Sequence, residues 1–583
     1  MANNFPGHWG LTLLASTTAV SDLWILWYAT QISTDDALTS VWNDVNFFVF
    51  IVYGLSTLSL FWFAYESNNR SSLLLSSFHF FTSFSLATIV FKIGFGFDPF
   101  IHRAAERVLF ETGTIEPRQL LYMGQYTLVA ALTHITQIPL VLIDKWLVPI
   151  LASVTIPTIA YRGLTQGFNV PQRDARTWIH ALLLVPFMPL VFTVPHNLTI
   201  VVFIVLLFLL PVAAHDRRIC WSVVILALWA VTIHPLLGVP TLLLTIYVLT
   251  LQKPQSVRSQ ILVSLTALVT ITIAVPALFA FQQWQIDPSQ TLSLHNPFNR
   301  LDLFFGLFRD PFVHNFFPIP LFWKFLYLYR TWIPGLLLFA AFLFAWIHRP
   351  FNRLTIPYTT FALGLLGSIF ILSTSFTFTN VISYEQSEYA LRLLQALTLV
   401  GLPFLIIAIS TLTTHKKWIA APLMLVMSLF LTISWYMSYP QSNQKVIHSG
   451  VSVSQADIDA VRLTEKQSAG EPYFVLSNQM TAAAALQEFG FKHYLNSAEG
   501  SILWYPIPTG GGLYQHYLAA SYLEPGLAVM QRAARFTGVD RGYLLVYRYD
   551  WNAPRIISAL QQSTNSWFTV HGGDVMIFSF NKL

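Results

Sequence analysis

Apolar residues run along this chain in blocks long enough to cross a bilayer, separated by short polar connections. Runs near 11–31, 43–65, 72–95, 146–161, 178–194, 198–213, 219–234, 237–251, 259–281, 331–347, 355–376, 390–411 and 418–438 predict about 13 transmembrane helices, because ~17–25 apolar residues at ~1.5 Å each match the hydrocarbon thickness. One more apolar run, 124–142, carries Thr133, His134, Thr136 and Gln137 and is expected to lie along the membrane surface. After Pro440 the long runs stop. Residues 471–477, 543–547 and 575–580 read as strands, and 480–489 and 553–563 as helices, the first stopped by Gly490. That alternation predicts a small α/β layer domain. The expected organisation is two extra N-terminal helices in 1–71, a transmembrane core in 72–439 with an external loop at 96–145, and a water-soluble domain in 440–583.

Composition agrees with this picture: 55% of the residues are hydrophobic and 10% charged, against about 25% charged in soluble chains. The net charge of +5 gathers in short connections, at Arg162, Arg173 and Arg176, at Arg217 and Arg218, between Lys253 and Arg258, between His348 and Arg353, and at 415–417. Such clusters mark cytoplasmic loops rather than a nucleic-acid footprint. With the segment 124–142 on the outer face, all five lie inside, and the tail lies outside the cytoplasm. The single cysteine, Cys220, rules out an intrachain disulfide. No cleavable signal peptide is expected, because the first apolar run contains Asp22 and lacks a basic leader.

The residues with chemical potential sit where the expected outer loop begins, in Gly96-Phe97-Asp98-Pro99-Phe100-Ile101-His102-Arg103, continuing through Glu106 and Arg107. Asp98 is expected to cap a helix with Pro99 at its first position. The helix is amphipathic and suits a membrane surface. A second element is Arg392, near the start of the run 390–411, with Glu388 one turn earlier. A charge at a span's end is either a ligand contact or, here, an i,i+4 ion pair to Glu388.

The stretch Asp98-Pro99-Phe100, with His102, Arg103, Arg107 and Gly113 following, resembles the first external loop of GT-C-fold membrane glycosyltransferases, most of all oligosaccharyltransferase catalytic subunits. The resemblance covers 72–440 in architecture and some 50 residues in motif. It implies that Asp98 is the catalytic carboxylate or a metal ligand, and that a basic residue such as Arg392, helped by Arg103 and Arg107, meets the phosphate of a polyprenyl-linked sugar. His102 and Glu388 would support the site. A sugar on such a phosphate has a good leaving group, so the enzyme must mainly orient an acceptor and take its proton.

Two departures limit what the resemblance implies. The second acidic motif of those enzymes falls here on Val194-Pro195-His196-Asn197, without a carboxylate. A divalent ion, Mg or Mn, would therefore have to be held by His196 and His234 with Asp98. The Trp-Trp-Asp signature that reads the glycosylation sequon is absent from the chain, so the acceptor is left open among glycan, lipid and protein. The expected function is a plasma-membrane glycosyltransferase working on the extracytoplasmic face. A transporter or lipid flippase and a non-catalytic envelope assembly protein are the competing readings.

Overall fold

The computed structural model describes residues 8–37, 40–67, 71–115, 121–214, 216–251, 256–286, 294–308, 320–348, 354–378, 382, 385–440, 452–497, 500–507, 509–564 and 566–583. The chain is a multi-pass helical membrane protein with a smaller α/β domain at its C-terminal end. In order, the helices up to the bundle's end are α1 (His8–Gln31), α2 (Phe48–Glu66), α3 (Ser71–Val90), α4 (Asp98–Thr112), α5 (Met123–Thr136), α6 (Leu140–Arg162), α7 (Gln172–Trp178), α8 (Pro195–Ala213), α9 (Arg217–Ile233), α10 (Pro235–Leu251), α11 (Val257–Ile286), α12 (Leu301–Gly306), α13 (Leu321–Thr331), α14 (Ile333–His348), α15 (Thr355–Ser375), α16 (Glu388–Val400), α17 (Leu402–His415) and α18 (Ala420–Met437). Among the described residues, nine helical stretches are long and apolar enough to span a membrane, α16 and α17 counting as one. Three more expected spans form shorter helices, α9 and α10 of 17 residues each and α14 of 16.

The remaining expected span, 178–194, is not a helix. After α7 the chain makes one 3-10 stretch over Ile179–Leu184 and a turn at Met188–Leu190, because Pro186, Pro189 and Pro195 withhold backbone donors. It nonetheless travels the length of α3. His180 Nε2 meets Ser76 Oγ at 2.8 Å, and Thr88 Oγ1 donates to the Val191 carbonyl at 2.9 Å. The two α3 contacts are twelve residues apart, about 18 Å of helix. Residues 174–185 are all buried, which is the condition under which irregular backbone survives at membrane depth. Hydropathy registers the apolar composition of this stretch but not its proline-broken geometry.

The charge in the first apolar run is also internal. Asp22 is fully buried and pairs with His79 at 3.1 Å while accepting from Ser56 at 2.7 Å. At the bundle end marked by basic loops, Arg173 lies 4.5 Å over the Tyr65 ring, and Asp174 accepts from Ser410 and Thr414. The opposite end carries α4, α5 and the tail. Helix α5 has 14 residues, about 21 Å, which is too short to cross the hydrocarbon.

The tail comprises α19 (Gln455–Ser468), β1 (Phe474–Leu476), α20 (Gln479–Phe489), β2 (Tyr494–Ser497), β3 (Gly500–Leu503), α21 (Gly512–Leu518), α22 (Leu527–Thr537), β4 (Arg541–Tyr547), α23 (Ala553–Ser563), β5 (Trp567–Val570) and β6 (Val575–Asn581). Its main sheet has the order β1-β4-β6-β5, parallel between β1 and β4 and antiparallel elsewhere. Alternation along the strands buries both faces. Tyr473, Val475, Tyr543 and Leu545 face α19 and α20, while Phe474, Leu476, Leu544 and Val546 face α21, α22 and α23. Each face also receives a residue from the membrane part, Phe100 of α4 on the first and Ile382 on the second. Tail and bundle therefore share two cores.

Candidate functional site

Four helices begin at one place on the tail side of the bundle: α4 at Asp98, α8 at Pro195, α10 at Pro235 and α16 at Glu388. Prolines occupy the first or second position in three of them, Pro99, Pro195 and Pro235. Helix N-termini present unpaired amides and positive dipole ends, so their convergence favours an anion.

Asp98 is not the expected N-cap. Phe97 holds that position, no side chain caps the helix, and Asp98 is its first residue. Its carboxylate makes no hydrogen bond among the described residues, and the side chain is half-buried. Burial lifts the Asp98 carboxyl above the usual carboxylate range, and the nearby Arg392 guanidinium draws it back part of the way. His102, one turn along α4, is held down to about 3 by burial and then by the same guanidinium, so it is a neutral imidazole. Its Nδ1 meets Tyr126 Oη at 2.7 Å.

Arg392 is the positive centre that these groups share. Asp98, His102, Tyr122, His196, His234 and Glu388 all interact with it electrostatically. The i,i+4 pair to Glu388 exists but is loose, with 3.8 Å between Nε and Oε2 and both side chains more than a third exposed. That separation is too long for a hydrogen bond, and the guanidinium makes none among the described residues. Its planar fork is free for a ligand.

Arg103 and Arg107 depart from expectation. Arg103 is buried, donates from Nε to Asp144 of α6 at 2.9 Å and from Nη1 to Gln487 of α20 at 3.2 Å, and lies 4.8 Å over the Phe100 ring. Arg107 donates to the Gln487 carbonyl at 2.9 Å. Both tie the outer helix to the tail instead of facing the polar cluster. Glu106, on the same helix, is pushed well above the carboxylate range by burial and by Asp144 beside it, and it accepts from Gln125 at 2.8 Å.

His196 and His234 meet edge to face, with ring centroids 5.3 Å apart and planes 69° apart. Among the described residues, however, no three His, Cys, Asp or Glu side chains come together to hold a metal ion. The expected ligand set of Asp98, His196 and His234 is therefore not assembled, and no step below passes through Mg or Mn.

Tyr122 and Tyr126 went unremarked as site residues in the sequence, although their four-residue spacing on an otherwise apolar helix was visible. Gly124 explains their placement. A Cβ there would lie 2.9 Å from the Ile233 backbone nitrogen, so only glycine lets α5 press on the end of α9. This brings the Tyr122 ring to 5.5 Å from His234 and 5.3 Å from His102. Tyr122 itself sits at φ 70°, a left-handed conformation that costs a bulky residue about 1–3 kcal/mol and is typical of functional sites.

An apolar pocket is lined by residues of α3, α6, α8, α16, the start of α17 and the irregular stretch. Ile200 and Ile204 line it, one and two turns beyond His196 on the same face of α8. Gln395 and Leu399 line it from the face of α16 that begins with Arg392, and Leu402 lines it from the start of α17. Helices α8 and α16 thus run from the polar cluster to an apolar pocket.

No protein-family model matches the sequence, and no curated protein matches it. Among solved structures, similarity is found to ArnT from Cupriavidus metallidurans bound to undecaprenyl phosphate, at 10% identity over 87% of this chain and 96% of that one, with a TM-score of 0.43. It is also found to the apo oligosaccharyltransferase of Archaeoglobus fulgidus, at 12% identity over 86% and 70% of the two chains and a TM-score of 0.44. The AglB oligosaccharyltransferase of the same organism, in complex with an inhibitory peptide and a dolichol-phosphate, gives 12% identity over 90% and 74%, also at 0.44.

Proposed function

We propose that this protein is a membrane glycosyltransferase of the GT-C type, taking a sugar from a polyprenyl-phosphate donor to an acceptor on the extracytoplasmic face of the plasma membrane. One observation carries the proposal. Asp98 and Arg392, neither hydrogen-bonded among the described residues, interact where four helices begin, and α8 and α16 lead from there to an apolar pocket. The prenyl chain enters the apolar space and the phosphate meets the Arg392 fork, for which a guanidinium is better shaped than an ammonium. Asp98 takes the proton of the acceptor's nucleophilic group as that group bonds to the anomeric carbon. The bond from that carbon to the phosphate oxygen breaks, and polyprenyl phosphate leaves with the electron pair. A carboxylate raised above its ordinary range is a stronger base for this step.

The assay is transfer of radiolabelled sugar from a panel of polyprenyl-phosphate glycosides by the purified protein in lipid vesicles. No transfer from any of them, with the protein folded, defeats the reading. Sidedness is tested by a reporter enzyme fused after Tyr439 and by a cysteine at exposed Thr127 in a Cys220-replaced background. The reporter should be active, and the cysteine labelled, only from outside the cytoplasm.

A further inference from the structure

The two histidines that fail as a metal site have a different use. His196 and His234 are each 7% exposed. Both ring nitrogens of His196 and Nδ1 of His234 have no hydrogen-bond partner among the described residues. Buried polar atoms are nearly always paired in native proteins, and here three orphans sit together on two rings in edge-to-face contact. The Tyr122 ring, tilted by 30° against His234, adds an aromatic surface beside them.

We infer that His196 and His234 form a subsite for the sugar ring of a lipid-linked donor, holding it through its hydroxyl groups. The inference rests on the donor reading above and adds which part of the donor these residues recognise. An imidazole offers one donor and one acceptor, and a sugar hydroxyl also does both, so each orphan nitrogen can be satisfied by a hydroxyl in either sense. A phosphate monoanion or diester offers mainly acceptors, and the free fork of Arg392 already suits it. The apolar face of a sugar ring, its C–H edges, suits the Tyr122 ring. His196 starts the same α8 face that continues into the cavity through Ile200 and Ile204, so a sugar held here stays within reach of a phosphate at Arg392 and a chain below it.

The test compares two probes on the full-length protein in detergent: polyprenyl phosphate alone, and its mannosyl, glucosyl and arabinosyl esters. Wild-type protein should bind the bare lipid phosphate and bind at least one ester more tightly. In His196→Ala and His234→Ala, that ester should lose roughly tenfold in affinity per variant, the scale of a lost hydrogen bond, while bare polyprenyl phosphate binds as before. His196→Gln and His234→Gln, which keep a donor and an acceptor, should recover part of the loss at equal thermal stability. Equal weakening of ester and bare lipid would overturn the subsite, as would no weakening of either. An ester affinity that needs both histidines and is abolished by a chelator would overturn it in favour of a metal. Wild-type protein that binds neither probe, or whose binding ignores Arg392→Gln, would instead bring down the donor reading beneath it.

Discussion

Arg103 and Arg392 are the same residue type beside the same partner type, on opposite sides of one small region, and the molecule uses them in opposite ways. Arg103 is 1% exposed, bonded at 2.9 Å to a fully buried Asp144, and held on its other edges by Gln487 and Phe100. Arg392 is about a third exposed, has its nearest carboxylate at 3.8 Å among the described residues, and interacts with an Asp98 that makes no hydrogen bond among them. Buried and satisfied, the first arginine fastens α4 to α6 and to the tail. Open, and without a hydrogen bond among the described residues, the second is the one the proposed function assigns to the donor phosphate. Residue type alone cannot separate the two roles; what separates them is whether the polar atoms are already paired.

The largest effect expected from breaking this contrast is on the open side. Asp98→Asn removes the proposed base while keeping size and polarity, and since Asp98 neither caps α4 nor makes a hydrogen bond among the described residues, stability should hardly change. Sugar transfer should fall by about 10²–10⁴, the usual contribution of a positioned base. Thermal unfolding and transfer rate, measured on one preparation, check both halves. Retained activity would leave the glycosyltransferase reading without its base.

On the closed side the ranking reverses. Arg103→Ala leaves Asp144 buried without its cation, a defect worth about 3–5 kcal/mol. The variant should unfold at lower temperature or fail to accumulate, with the tail more open to protease. A well-folded Arg103→Ala protein that merely binds donor weakly would mean that Arg103 belongs to the site after all.

Arg392→Lys and Arg392→Gln sharpen the comparison. The lysine variant keeps the charge but loses the fork, so donor affinity should drop by about ten-fold or more with the pH profile in place. The glutamine variant also removes the charge that draws the Asp98 pKa down. Asp98 acts only when ionised, so activity is lost as pH falls through its pKa. Removing the nearby positive charge raises that pKa and moves the acid limb of the rate profile to higher pH. An unmoved limb in Arg392→Gln would separate Arg392 from Asp98.

Much of this was legible in advance, for identifiable reasons. Asp98 stood at the head of an amphipathic segment and Arg392 was a charge at a span's edge, so position made both candidates, while the roles proposed for them come from the resemblance. The strands at 474–476, 541–547 and 575–581 were visible because they are buried on both faces and read as apolar runs. Strand β5, exposed at Trp567 and Thr569, and the β2–β3 hairpin carry no such run and were missed. The pairing of Arg103 with Asp144 spans 41 residues, and that with Gln487 spans 384; no local pattern announces contacts of that separation. The irregular stretch at 178–194 was misread as a helix because a window average ignores what Pro186 and Pro189 do to the ladder.

The smallest expected effect lies at the seam between the two regions. Gln487 receives Arg103 on its side-chain oxygen at 3.2 Å and Arg107 on its backbone oxygen at 2.9 Å. Gln487→Ala deletes only the first contact, and Arg103 retains Asp144 and the Phe100 face. A hydrogen bond to a charged donor contributes about 1.5–3 kcal/mol, and this one is long, so the cost should fall at or below the lower end of that range. Phe100 still seats α4 in the tail's core, so the tail should remain docked. If the seam is purely structural, Gln487→Ala lowers the thermal midpoint slightly and leaves both kcat and KM for the donor unchanged. If the tail instead sets the position of Asp98, kcat falls while donor affinity holds, because α4 carries Asp98 five and nine residues before Arg103 and Arg107, which Gln487 grips, whereas Arg392 sits on α16. Steady-state kinetics beside a melting curve decide between the two, and a fall in kcat would mean that the closed region governs the open one.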